Sequence, residues 1–137
     1  MQRSGQCLCG AVRFTVSAPP IATRTCWCRL CQYIGAGSAT VNAGFYTKDV
    51  QIEGKTTTYT STADSGATLH RSFCPTCGTP LFSAAAERPH MLFIRVGAFD
   101  QRNDLAPAIS IWTTQAPTWA CIDPTLPTNP AQPPPAA

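Results

Sequence analysis

Seven of the eight cysteines of this 137-residue chain fall in three tight groups, and their spacing is that of metal ligands. Cys74-Pro75-Thr76-Cys77-Gly78 has the form of a knuckle, in which a turn aims two sulfurs at one ion and the following glycine tolerates positive φ. Cys7-Leu8-Cys9-Gly10 supplies a second pair, read here as side chains at i and i+2 leaving one face of an extended segment. The four sulfurs of Cys7, Cys9, Cys74 and Cys77 suit a closed, tetrahedral structural zinc that would clip the N-terminal strand to the middle of the chain. The third group, Cys26-Trp27-Cys28-Arg29-Leu30-Cys31, offers only three ligands. Cys26, Cys28 and Cys31 could reach one ion from a single turn after a strand, leaving a fourth position for an exchangeable ligand, as in catalytic zinc sites. Cys121, His70 or His90 could instead fill that position, although none sits in a ligand motif, and Cys121 reads more simply as a packing residue. Two zinc ions are therefore the expected cofactors.

Alternatives for the thiols are weaker. Seven reduced, buried cysteines have no reason to gather in three clusters. A disulfide framework would need strained i to i+2 bridges. The chain also opens without the apolar run of a secretory signal, which points to the cytoplasm, where thiols stay reduced. No stretch approaches the length of a membrane span. The formal charge of +3 comes from scattered Lys and Arg, and it falls to zero if seven thiolates hold two zinc ions. Nucleic-acid binding, which calls for clustered basic residues interleaved with aromatics, is excluded on that pattern.

The elements that must carry these ligands read as strands. With 44% hydrophobic and 12% charged residues, the chain fits one globular domain, placed at 1–122. Short β-branched and aromatic runs occur at Ala11–Ser17, Ser38–Val41, Val50–Glu53, Thr56–Thr60, Thr68–Phe73 and Met91–Val96. Val12, Phe14 and Val16 alternate with polar residues, as in a strand with one buried face, whereas Met91–Val96 is apolar enough for a central strand covered on both sides. Single helical turns are expected near Cys28–Tyr33 and Asp100–Leu105. Trp112 and Trp119 are expected to cover the sheets. Most of the thirteen prolines lie from Pro107 onward, and residues 123–137 read as an extended or disordered, solvated tail.

The segments CLCGAVRF, CWCRLCQ and FCPTCGTPLF, with Ile111-Trp112, Pro117 and Trp119 further on, together resemble the glutathione-dependent formaldehyde-activating family, over about Cys7 to Trp119. Centromere protein V is in the same wider family, so the domain alone does not guarantee the enzyme activity. The resemblance implies an all-β, Mss4-like fold of small packed antiparallel sheets. It also implies the same division of ligands, with Cys7, Cys9, Cys74 and Cys77 on a structural zinc and Cys26, Cys28 and Cys31 on a substrate-facing one. The implied activity is that of a carbon–sulfur lyase, S-(hydroxymethyl)glutathione synthase, which joins glutathione to formaldehyde or reverses that step. Where the family often has histidine, in the Cys-x-Cys gap and before Ile-Trp, this chain has Trp27 and Ser110.

On this reading the partners are a small thiol such as glutathione and an aldehyde. A zinc on the triplet would either take the thiolate as fourth ligand or polarise the carbonyl oxygen. Arg29 is a candidate for a substrate carboxylate, as are Arg24 and Arg71, and Trp27 could wall the pocket. The competing function is a non-enzymatic, zinc-stabilised protein-binding module in which both metals are structural.

Overall fold

A computed structural model describes residues 2–137. Its strands are β1 (Arg3–Gln6), β2 (Arg13–Val16), β3 (Ala22–Cys26), β4 (Thr40–Tyr46), β5 (Val50–Glu53), β6 (Thr57–Thr62), β7 (Thr68–Phe73), β8 (Pro80–Ala85), β9 (Met91–Arg95), β10 (Ile109–Ile111) and β11 (Thr128–Asn129). One short α-helix, α1 (Arg29–Ile34), follows β3, and a 3-10 turn covers Arg102–Asp104, both where single turns are expected. The all-β expectation therefore holds.

Two sheets form. The smaller has the order β1-β2-β5, and the larger β11-β10-β3-β4-β9-β8-β7-β6. The sheets are not wholly antiparallel: β10 runs parallel to both β3 and β11, because long connections return these segments to the same edge.

The period-two pattern of the larger sheet gives it two different faces. Leu92 and Ile94 of β9, Ala43 and Phe45 of β4, and Phe82 of β8 enter the main core with Phe14 and Val16 of the small sheet and Val12 just before β2. Phe14 is central there, meeting Phe82 and Phe99 edge-on with centroids 5.6 and 5.0 Å apart. The alternate residues Met91, Phe93 and Arg95 of β9, with Asn42 of β4 and Ser83 of β8, line a cavity on the opposite face. β9 is thus the doubly covered strand its composition implies.

Several expectations are corrected. β4 runs on to Tyr46, beyond the expected Ser38–Val41, because pairing with β3 and β9 overrides the poor strand propensity of Asn42 and Gly44. β1, β3, β8, β10 and β11 are strands whose pairing, rather than local composition, defines them. Trp119 is no sheet cover: it is 70% exposed. Residues 123–137, expected as an extended or disordered solvated tail, are largely exposed and irregular but attached to the sheet. Thr128–Asn129 extends the sheet, Ser110 N–H donates to Pro127 O at 3.1 Å, and the Trp112 indole N–H donates to Gln132 Oε1 at 2.9 Å.

Candidate metal centres and substrate cavity

Cys7, Cys9, Cys74 and Cys77 converge with all four sulfurs within 4.8 Å of one another. The Cys7–Cys9 sulfur separation is 3.7 Å and that of Cys9–Cys74 is 3.8 Å. A tetrahedral zinc with Zn–S near 2.3 Å requires edges of about 3.8 Å, so this donor set fits that ion.

The first pair is not extended, as the i, i+2 argument supposed; it is a tight turn. Gly10 N–H bonds to Cys7 O at 3.1 Å, and Cys7 N–H bonds to Val12 O at 3.0 Å. The second pair repeats the form, with Gly78 N–H on Cys74 O at 2.9 Å and Cys74 N–H on Thr79 O at 3.1 Å. Gly10 and Gly78 have φ of +80° and +77°, the left-handed conformation that lets each turn reverse. Backbone N–H groups of Val12 and of Thr76 and Cys77 point at the sulfurs of Cys7 and Cys74 respectively. Thr79 joins the two knuckles: its hydroxyl oxygen accepts from Leu8 N–H at 3.0 Å and lies 3.1 Å from Cys77 Sγ. That hydroxyl, followed by the backbone N–H groups of Thr79 and Cys9, holds the Cys77 thiol down at about 5.

Cys26, Cys28 and Cys31 form the second group, and all three are buried. Cys26 ends β3, Cys28 caps α1, and Cys31 lies in its first turn, its N–H donating to Cys28 Sγ at 3.3 Å. Gln32 fixes the turn by donating to Trp27 O at 2.8 Å and to Gln115 O at 2.9 Å. The thiols compete for protons. The sulfurs of Cys28 and Cys31, and then burial, push Cys26 up; Cys26 and Cys28, with smaller help from Thr40 and Arg95, pull Cys31 well down. Three sulfurs in such contact can ionise together only beside a cation, so this donor set too fits a metal ion.

Among the described residues, no His, Cys, Asp or Glu joins this triplet as a fourth member. Cys121 is exposed, and His70 lies on β7 with Nδ1 2.8 Å from Thr60 Oγ1. His90 is exposed in the turn between β8 and β9, its carbonyl accepting from Thr47 N–H at 2.8 Å. The triplet opens instead onto the cavity of the larger sheet, about 330 Å³, whose walls include Arg24, Arg71, Arg88 and Arg95 and one acidic side chain, Asp64. Arg24 is buried with its guanidinium carbon 4.4 Å above the Phe93 ring, while Arg95 donates to Asn42 Oδ1, itself oriented by a 3.0 Å bond from Asn42 Nδ2 to Thr40 Oγ1. Burial acts against the charge of both arginines, and the neighbouring sulfurs of Cys26 and Cys31 favour it.

Of the expected substrate contacts, Arg24 and Arg71 line the cavity, whereas Arg29 and Trp27 do not. Arg29 is exposed and stacks on the Tyr33 ring at 4.6 Å. Trp27 is buried, its N–H bonded to Ile111 O at 3.0 Å. Ser110 is buried within β10 and is likewise absent from the cavity wall, so neither position where histidine is missing faces the triplet's open side. Arg95 is the residue that sequence reading missed, and its signal was a lone charge inside the otherwise apolar Met91–Val96 run.

A protein from Rhodobacter sphaeroides of known crystal structure shares the fold, with a TM-score of 0.57 and 23% identity over 72% of this chain and 88% of that one. The family model described as glutathione-dependent formaldehyde-activating enzyme matches residues 2–115, which contain both cysteine groups and all four cavity arginines. With that match spanning most of its length, the chain belongs to the glutathione-dependent formaldehyde-activating enzyme family.

Proposed function

We propose that this chain is a cytoplasmic, zinc-dependent carbon–sulfur lyase that forms or cleaves the bond between a small thiol and an aldehyde, in the manner of S-(hydroxymethyl)glutathione synthase. The observation that carries this reading is the three-cysteine group turned toward a cavity rich in arginine, with no fourth protein ligand among the described residues. A zinc ion bound there would keep an additional sulfur ionised at neutral pH.

The chain's own residues supply the setting. Cys26, Cys28 and Cys31 fix the place of the sulfur chemistry, and Gln32 keeps their turn in shape. Leu30, Ile111 and Trp112 wall this end of the cavity with apolar surface, which limits water around the reacting atoms. In synthesis the thiol loses its proton, its sulfur bonds to the aldehyde carbon, and a proton ends on the resulting hydroxymethyl oxygen. Cleavage is the reverse. Holding both reactants in one cavity replaces a bimolecular encounter by a nearly unimolecular one.

Magnetisation-exchange NMR of an equilibrium mixture of glutathione and formaldehyde tests the reading. Zinc-loaded protein at catalytic concentration should raise the exchange rate between free glutathione and its hydroxymethyl adduct, and the Cys26/Cys28/Cys31→Ala variant should not. Exchange no faster than in buffer would overturn it.

A further inference from the structure

We infer that residues 130–137 are a detachable strap over the cavity, latched at Trp112, so that the way to the triplet opens and closes with this segment. The inference goes beyond the proposed chemistry and concerns only how the cysteines are reached.

Gln132, Pro133, Pro135, Ala136 and Ala137 line the cavity together with the three cysteines. They lie past residues 2–115, where the family match falls, so this wall is an addition to the matched domain. Its attachment is confined to its start. Thr114 Oγ1 donates to Pro130 O at 2.7 Å, Trp112 N–H to Ala131 O at 3.3 Å, and the Trp112 indole N–H to Gln132 Oε1 at 2.9 Å. Among the described residues, no hydrogen bond holds 133–137, and all of the strap but Pro133 and Ala137 is exposed. Little buried surface therefore resists release. The run Pro133-Pro134-Pro135 fixes φ at each step, so the free arm is stiff and swings from its attached end as a unit.

Trp112 is the latch because it touches both sides. It packs against the cluster of Cys26, Cys28, Cys31 and Ile111. Its φ of 55° and ψ of 37° are left-handed, a conformation that is costly for a bulky residue and persists only where neighbours hold it. Its two bonds to the strap are part of that hold, so latch and strap give way together. A strained residue tied to a weakly held arm at the mouth of a cavity opens at low cost.

Alkylation of the full, zinc-loaded chain by iodoacetamide, followed residue by residue with peptide mass spectrometry, reads this opening whether or not any thiol binds. Gln132→Ala and Thr114→Val each remove one bond from the strap, and each should raise the labelling rate of Cys26, Cys28 and Cys31 about fivefold. Gln132→Glu keeps an acceptor for the indole and should label at the unmodified rate. The quartet and the exposed Cys121 should label alike in every variant. Unchanged triplet labelling in either the alanine or the valine variant, an equal rise in the glutamate variant, or a parallel rise at the quartet would each overturn the strap. A cobalt-substituted sample separates this failure from failure of the thiol reading. Absorption unmoved by glutathione, beside accelerated labelling, leaves the strap standing and removes the thiol site; a glutathione response with unchanged labelling does the reverse.

Discussion

The two cysteine groups are built from the same side chain but are joined to the fold differently. The quartet draws two ligands from a turn after β1 and two from a turn between β7 and β8, so an ion there links the small sheet to the large one. The triplet draws all its ligands from one six-residue stretch and belongs to a small cluster with Ile111, apart from the main core. Ligands distant in sequence give a metal leverage over folding, because the unfolded chain must be gathered to make the site. Ligands close in sequence cost little to gather, and a site at the edge of the core can keep an open side. Under the proposed function, connectivity would separate a clamp from a chemical site as ligand count does.

The sharpest way to break the comparison is to remove one ligand from each group. Cys77→Ala should abolish the cooperative thermal transition or lower it by tens of degrees, since structural zinc contributes on the order of 10 kcal/mol, comparable with the whole stability of a domain. A thermal melt within a few degrees of the unmodified protein would deny the clamp. The Cys26/Cys28/Cys31→Ala variant should retain its fold while zinc, measured by atomic emission, drops from two ions per chain to one; loss of folding would place the triplet among structural sites. Gln32→Ala strips the donor from the Trp27 and Gln115 carbonyls, and should weaken zinc at the triplet by about tenfold or more in a chelator competition while leaving the quartet unchanged. Thr79→Val should cost about 1 kcal/mol in chemical denaturation, through the lost link between the knuckles. The same change takes from Cys77 the hydroxyl that holds its pKa down. A folded-state pKa of about 5 against the ordinary thiol value of 9.0 contributes stability above the unfolded value that is lost as pH falls toward 5. Release of zinc from the quartet on acidification should therefore begin at higher pH in the valine variant.

The difference between these regions also explains what could be read before the fold was known. Both cysteine groupings were legible because the close approach of sulfurs in Cys-x-Cys and Cys-x-x-Cys is decided within one turn. Even so, the local geometry at Cys7 and Cys9 was misread as extended, since nothing in the spacing distinguishes a strand face from a turn closed by Gly10. The arginine wall lies at the other extreme. Arg24, Arg71 and Arg95 come from β3, β7 and β9, and they share a face only because Arg24 pairs with Asn42, Asn42 with Arg95, and Arg71 with Ser83 next to Phe93. Such a register is a property of the assembled sheet. The proline-rich end escaped for a related reason: its composition forbids a core, yet two residues of pairing with β10 suffice to seat it.

The path of that last segment carries one more implication. Beyond Asn129 the chain passes over the cavity, presenting Pro133 and Pro135 beside Gln132 and the final alanines. Proline has no amide hydrogen to offer, so Pro133 and Pro135 can shed water and shape the opening but donate nothing to what passes through it. Discrimination is left to the floor, and a library of altered rims should change how quickly guests enter while leaving their order of preference intact.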